Sequence, residues 1–522
     1  MIQLSGRQRE NEAPRAFAER ITFLVRCALA SIAVIYLLTY LCLFLFRIRY
    51  PFELEWLEGS LVNHVTRILS GERFYVKPSL EFVPFFYTPL YFYLSAAVAK
   101  VVGQGFVPLR LISFISSLGC FAVIFLFVRK ETGNSFAALL AMGLFAATYR
   151  IGGAWLDLGR VDSLFIFFLL MGLYLVRFAG SARGWILAGI MFSLAFLTKQ
   201  TTLAILAPIV LYCILFSPRR ALFFIGTVVV IIGISTLILD RVYDGWYTYY
   251  VFRIPAGHPI IRFMVLEFWL TDILSPLSIA CSMSIVLFFI FLSQSKRWDI
   301  LYYILMAGGM VGSSWMSRIH EGGYSNVSLT AYAAISILFG ISMHRLLECI
   351  RALPRDQRRY GEISACLIFV LQFSCLIYNP FLFVPTKEDV QAGWKLVNLI
   401  REFEGDVFVP YHSHLPVLAG KRSYAHAEAL YSIMSSDRER GRLELIDELS
   451  QALERRKFAA IVLDMHRSRQ MWDRGLITTD YAGYCARKGP IFDSRAAFWP
   501  TTGVKVRPEI LLYRCSERSP QP

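Results

Sequence analysis

Residues Cys27–Ser60 read CALASIAVIYLLTYLCLFLFRIRYPFELEWLEGS, and the junction inside this stretch decides the fold. Residues 27–46 carry no charge, over the roughly 20 residues a helix needs to cross the hydrocarbon core of a bilayer. Arg7, Arg9, Arg15, Arg20 and Arg26 stand before the run, so the positive-inside rule holds residues 1–26 in the cytoplasm and delivers residues 47–108 to the opposite face. No short apolar core with a small-residue cleavage site precedes it, so the run reads as a retained span rather than a cleaved signal. Three carboxylates, Glu53, Glu55 and Glu58, then emerge just beyond the bilayer, among Phe52, Leu54, Trp56 and Leu57.

The rest of the chain repeats the first half of this pattern. It is 56% hydrophobic and only 17% charged, against about 25% charged in soluble chains. Further apolar runs lie at roughly 109–128, 136–155, 161–178, 185–198, 200–216, 221–239, 263–292, 299–315, 325–343 and 362–384, giving about eleven crossings. Arg129 and Lys130, Arg177 and Arg183, Arg219 and Arg220, Lys296 and Arg297, and the basic run 345–359 fall on the cytoplasmic side of that alternation. The net charge of +15 is therefore a topology signal, facing anionic lipid rather than nucleic acid.

The segment YTPLYFYLSAAVAKVVG, 87–103, would invert every later loop if it crossed. It reads as a re-entrant or interfacial helix begun at Pro89 and held at headgroup depth by Tyr87, Tyr91 and Tyr93; a true crossing, with one of the short runs failing to cross, is the alternative. The fold class is thus a polytopic α-helical membrane protein, with a membrane domain over 27–385. From 386 to 522 hydropathy falls, and DVFVP, FAAIVLD and PEILLYRC read as strands around the amphipathic LELIDELSQALERRKFAA. That is a small α/β domain, extracytoplasmic by the same parity. Eight of the ten cysteines lie in or beside apolar runs as packing residues; Cys485 and Cys515 fall in the tail, where a disulfide is open to them on an extracytoplasmic face.

The alternation gathers the unusual polar residues on the outer face: Glu53, Glu55 and Glu58; Asp157, Arg160 and Asp162; Lys199; Asp240, Asp244 and His258; and Arg318, His320 and Glu321. Any one of them is unremarkable, because charged residues end spans everywhere, and Asp157, Arg160 and Asp162 could pair among themselves. Convergence on one face is a site hypothesis. A helix over 55–70 would put Glu55 and Glu58 on a shared face with Glu53 as its cap. Like charges that close raise a pKa or recruit a cation, so the cluster offers either a general base or, at Glu53 and Glu55, ligands for a divalent cation such as magnesium or manganese. Arg160, Lys199 and Arg318, with His320 beside them, suit an anionic phosphate.

The order of these features resembles the GT-C superfamily of polyprenyl-phosphate-sugar-dependent glycosyltransferases, in the branch of protein O-mannosyltransferases and the lipid A aminoarabinose transferase. The matching pieces are LEWLEGS, ILSGERFY, YTPLYFYL, LRLISFISSLGCFAVIFLFVRKETG, GRVDSLF and FLTKQTT, over about residues 27–215 and more loosely to 343. The resemblance implies an acidic residue of the first outer loop as base on the acceptor hydroxyl, or as a metal ligand where one is used. Glu55 and Glu58 fill that place, Asp162 the second acidic position and Lys199 the basic position near the lipid phosphate. Where the family shows Asp-Glu this chain has Leu-Glu twice, so which glutamate is the base stays open, with Glu55 favoured, Glu58 its rival and Glu53 a cap or metal ligand.

The expected activity is an inverting transfer of a hexose or pentose from a polyprenyl-phosphate donor to a lipid, glycan or protein acceptor, at the periplasmic side of an inner membrane. The alternative from another class is a transporter or flippase for a lipid-linked or anionic solute; internal repeats and helices broken at the midplane would favour it, and the sequence shows neither.

Overall fold

The computed structural model describes residues 3–293, 296–435, 440–464, 483–487, 491–492, 497–503, 505 and 507–515. Eleven helical segments occupy the eleven apolar runs. The first, α1 (Gln3–Arg47), has its apolar portion from Arg20 and continues helically back through the basic N-terminal residues. Two short helices follow, α2 (Glu58–Leu69) and α3 (Leu90–Val102), then α4 (Phe106–Thr132), α5 (Ser135–Ala147), α6 (Asp162–Phe178), α7 (Ala182–Thr198), α8 (Thr202–Phe216) and α9 (Pro218–Val242). The remaining membrane helices are Met264–Ser293, Arg297–Ile319, Leu329–Arg351 and Arg355–Ser374.

Five of these segments are long and apolar enough to span: Arg20–Arg47, Phe106–Thr132, Pro218–Val242, Met264–Ser293 and Ser325–Arg351. Their burial separates two roles. The helix Leu329–Arg351 is enclosed nearly throughout and forms the axis of the bundle, whereas α9 presents Leu222, Val229, Val230, Ile234, Leu237 and Ile238 outward, the face expected to meet acyl chains. At 13 residues α3 is about 20 Å long, the same length as α5, and it starts after Pro89.

Three sequence expectations shift. The run 136–155 stops being helical at Ala147, and residues 148–161 form a succession of turns in which Gly153 (φ 74°) and Ala154 (φ 60°) take left-handed conformations no helix accommodates. The helix expected over 55–70 begins at Glu58, with Leu57 at its N-cap and no side chain capping it. Glu53 is therefore not a cap, and Glu55 lies in the preceding turn rather than on a shared helical face. The run 362–384 leaves the helix at Ser374.

The tail forms a four-stranded sheet in the order β1–β2–β4–β3, from β1 (Val407–Phe408), β2 (Ala460–Asp464), β3 (Tyr484–Ala486) and β4 (Pro508–Arg514). β1 and β2 are parallel, joined through the helices Ala427–Met434 and Arg442–Glu454; β4 runs antiparallel to both β2 and β3. Each of the three expected strands has its counterpart, and β3 is additional. Cys485 and Cys515 form a disulfide between β3 and the end of β4. The helix Lys387–Glu402 links the two parts, started by a capping box between Thr386 and Asp389.

Small residues let the bundle close. A Cβ built on Gly143 of α5 would stand 2.4 Å from the Ala33 Cβ of α1, so the two helices touch backbone to backbone there. Gly143→Leu is expected to wedge α1 from α5 and lower the melting temperature in detergent by several degrees. Gly226→Leu on α9, where nothing lies within 4 Å, should leave it unchanged.

Candidate functional site

The first loop leaves α1 at Arg47, whose buried guanidinium donates to the Tyr149 hydroxyl, to Ala154 O at 3.3 Å and to Thr502 Oγ1 at 3.1 Å, and pairs with Asp157 at 3.3 Å. The loop then wraps around Arg110, one turn into α4. Arg110 Nη1 donates to Arg47 O (3.1 Å) and Tyr50 O (2.6 Å), and Nη2 to Phe52 O (2.6 Å). Nε and Nη2 also grip Glu58 in a two-pronged pair at 2.9 and 2.7 Å.

This geometry separates the three glutamates. Both oxygens of Glu58 are occupied, since besides Arg110 they accept the amides of Gly159 (2.8 Å) and Leu54 (2.9 Å). Burial alone would push its carboxyl up; the Arg110 guanidinium and those amides outweigh burial and hold it below the usual range. Glu55 is equally buried, at 0% exposure, but less satisfied. Its Oε2 accepts from Leu57 N (3.2 Å) and Arg160 Nη1 (3.1 Å), while Oε1 has no hydrogen-bond partner among the described residues. Burial pushes Glu55 up to about 7, with the single Arg160 pairing offsetting part of the rise. Glu53 turns the other way, its Oε2 2.5 Å from Nδ1 of His412 in the C-terminal domain and its Oε1 without a hydrogen-bond partner among the described residues. Burial pushes it, like Glu55, up to about 7, with His412 offsetting part of the rise, and His412 Nε2 lies 3.3 Å from Asp464 Oδ2 at the end of β2. Against burial, Asp464 and Glu53 together raise the imidazole to about 10.

Behind Glu55, Arg160 also donates to the Tyr87 hydroxyl at 3.1 Å and lies near the rings of Trp155 and Tyr87; its buried Nε has no hydrogen-bond partner among the described residues. Asp162, the first residue of α6, binds Lys199 at 2.7 Å and accepts from Asn326 at 3.1 Å, bringing the ends of α6 and α7 to the turn before Leu329–Arg351. The C-terminal domain closes the far side: Thr502 N donates to Leu54 O (3.0 Å), Phe498 packs edge-on against Phe52, and Gly503 lies against the Glu55 side chain.

The structure thus brings Glu53, Glu55, Glu58, Arg160, Asp162 and Lys199 together at one end of the bundle, and Asp157 joins them through Arg47. Arg318 and His320 are placed differently: Arg318 pairs with Asp272 at 2.7 Å and donates to Gly323 O, and His320 bonds Met316 O one helical turn back. Asp157, Arg160 and Asp162 do not pair among themselves; each is held by another element. Sequence reasoning passed over Arg110, although a guanidinium inside the apolar run of α4 is a signal in itself, and over His412 and Asp464, for which the sequence carries no comparable signal. A divalent cation does not fit Glu53 and Glu55 as arranged. One Glu53 oxygen is taken by His412, one Glu55 oxygen by Arg160, and among the described residues no group of three or more His, Cys, Asp or Glu side chains is placed to hold a metal ion.

Residues 84–239 match the family model for dolichyl-phosphate-mannose-protein mannosyltransferase. The match takes in Arg110, Arg160, Asp162 and Lys199 but not the glutamate loop. No curated protein matches the sequence. Among solved structures the chain is similar to ArnT from Cupriavidus metallidurans bound to undecaprenyl phosphate, with a TM-score of 0.55 at 12% identity over 84% of this chain and 94% of that one. The apo form of the same protein superposes with a TM-score of 0.57, also at 12% identity, over 84% of this chain and 94% of that one. The archaeal oligosaccharyltransferase AglB from Archaeoglobus fulgidus, in complex with an inhibitory peptide and a dolichol-phosphate, gives 0.50 at 13% identity over 87% and 70%. The architecture is the GT-C membrane fold.

Arg110→Met is expected to strand Glu58 as a buried charge and destabilise the protein by about 3–5 kcal/mol. The double variant Arg110→Met, Glu58→Met should recover much of that loss, read as melting temperature in detergent.

Proposed function

We propose that the protein is an inverting glycosyltransferase that moves a sugar from a polyprenyl-phosphate donor to an acceptor hydroxyl at the extracytoplasmic face of the membrane. The observation that carries this reading is Glu55, a buried carboxylate pushed up to about 7, with one oxygen unpartnered among the described residues and the other on the Arg160 guanidinium, a contact that Glu53, equally raised but set against His412, lacks. The match to a mannosyltransferase family and the GT-C fold support it, and the bound lipid phosphates of ArnT and AglB supply the donor class.

Glu55 takes the proton of the acceptor hydroxyl; the oxygen attacks the anomeric carbon from the face opposite the phosphate, and the carbon–oxygen bond to phosphate breaks, its electron pair leaving with the phosphate. Arg160, through its unpartnered Nε, and Lys199 receive the charge that develops there. Because Arg160 also holds Glu55 Oε2, a phosphate arriving at the guanidinium competes with Glu55 and frees the base when donor is present. Glu58, saturated by Arg110 and two amides, shapes the loop. Arg318, paired with Asp272, and His320, in the Ile260–His320 bridge, take no part in the step written here. Topological parity puts this end of the bundle and the C-terminal domain on the periplasmic side of an inner membrane, and the acceptor is a lipid, glycan or protein hydroxyl. The outward solute path of a transporter finds no support, since the charges sit in closed pairs at one end of the bundle.

Purified protein should consume polyprenyl-phosphate mannose, or another lipid-phosphate hexose or pentose, in detergent, where a transporter has no compartment to fill. Glu55→Gln is expected to lower kcat by about 10²–10⁴ without loss of donor binding, and Lys199→Ala to weaken donor binding. Since the base works deprotonated, kcat/KM should rise with pH to a plateau above about 7, and unaltered transfer by Glu55→Gln would remove the assignment.

A further inference from the structure

We propose that His412 is a positioning residue for the transfer. From the C-terminal domain it supplies the positive charge that a Glu-x-Glu loop would otherwise take from a divalent cation, and the reaction proceeds without one. The inference rests on the reading of Glu55 as base. Its grounds are geometric. Each nitrogen of the buried ring faces a carboxylate oxygen, Nδ1 at 2.5 Å from Glu53 and Nε2 at 3.3 Å from Asp464. Nδ1 hydrogen-bonds Glu53, while Nε2 meets Asp464 at ion-pair distance without a hydrogen bond among the described residues; a ring enclosed between two buried carboxylates is favoured as the imidazolium.

The surroundings leave this charge no substitute. Glu58 absorbs Arg110 and Glu55 engages Arg160, so the cation set against Glu53 among the described residues is His412. Asp464, at 0% exposure, has no hydrogen-bond partner for either oxygen among the described residues, which makes the imidazolium its compensation too. The cavity beside the pair, lined by Tyr50, Trp56, Leu415, Phe498, Trp499 and Pro500, is about 20 Å³. That is room for roughly one water, whereas magnesium keeps several waters when it binds through one or two carboxylates.

The clamp reaches the base through the backbone. Glu53 rests on the bare backbone of Gly59, where a Cβ would stand 1.9 Å from its Oε1. With Glu53 pinned between α2 and His412, and Arg110 holding Phe52 O, the chain has little freedom to reorient Glu55 two residues on. Pairing a loop carboxylate to a domain encoded some 359 residues later therefore ties the docking of that domain to the aim of the base.

The full-length protein in detergent, assayed with the lipid-phosphate mannose and parallel hexose and pentose donors above, separates the possibilities. Wild-type transfer should survive EDTA, and electron paramagnetic resonance titration with Mn(II) should show no stoichiometric site. His412→Ala should lose at least tenfold in kcat with donor KM little changed. Added imidazole should restore a substantial part, and thiazole, of similar size but without an N–H, should not; His412→Asn serves if the alanine variant does not fold, with the same kcat loss expected. Loss of wild-type activity in EDTA with recovery on Mn(II), stoichiometric Mn(II) binding, full activity in His412→Ala, or equal rescue by thiazole would each overturn the proposal. A wild type that consumes none of the donors speaks against the proposed function, while the Mn(II) titration still decides on the clamp.

Discussion

The guanidinium of Arg110 is the constraint on which the site depends. An arginine side chain has five N–H donors in a rigid plane, and here all are engaged: two by Glu58 and three by the carbonyls of Arg47, Tyr50 and Phe52. Surface loops are ordinarily the mobile part of a protein. This one is moulded onto a charge that α4 carries inside the bundle and cannot leave unpaired without a penalty of several kcal/mol. The conformation of residues 47–58 is therefore set by the membrane domain as much as by its own sequence.

From that anchoring follows an uneven distribution of charge compensation. Arg47 with Asp157, Arg110 with Glu58, Lys199 with Asp162 and His412 with Glu53 are buried pairs placed around the same loop. Glu55 shares Arg160 with Tyr87, and like Glu53 it keeps one oxygen unpartnered among the described residues. A low-dielectric site amplifies such differences. Three carboxylates within six residues of sequence thus end in different settings: Glu58 held as an anion by Arg110, Glu53 pushed up by burial to about 7 and facing His412, and Glu55 pushed up to about 7 and facing Arg160.

The helical plan was legible because uncharged runs of bilayer length admit few readings, and the short helix α3 was marked by its Pro89 start. The error at 136–155 has a local cause: TYRIGGAWL is apolar enough to extend a span, yet Gly153 and Ala154 adopt left-handed backbone there. Glu55, Arg160, Asp162 and Lys199 were reachable by asking which polar residues share a face. Grouping by face also drew in Arg318 and His320, whose partners in the structure are Asp272, Gly323 and Met316 rather than the loop carboxylates. His412 and Asp464 were out of reach for a different reason. Their partnership with Glu53 spans most of the chain, and neither lies in a segment whose composition is unusual for a soluble domain.

The C-terminal domain is accordingly part of the site rather than an appendage to it. Thr502 bonds the backbone of Leu54 and the side chain of Arg47, Phe498 packs edge-on against Phe52, Gly503 abuts Glu55 and His412 takes Glu53. The loop is held from one side by Arg110 and from the other by this sheet, so its order is shared between two bodies that are apolar and aqueous in character. Groups aimed in advance at the place where charge changes need no rearrangement when it does, and a loop with fixed walls on both faces keeps such an aim. Either wall alone would leave one side of the loop free to move, and Glu55, between them, would lose the fixed relation to Arg160 that defines it.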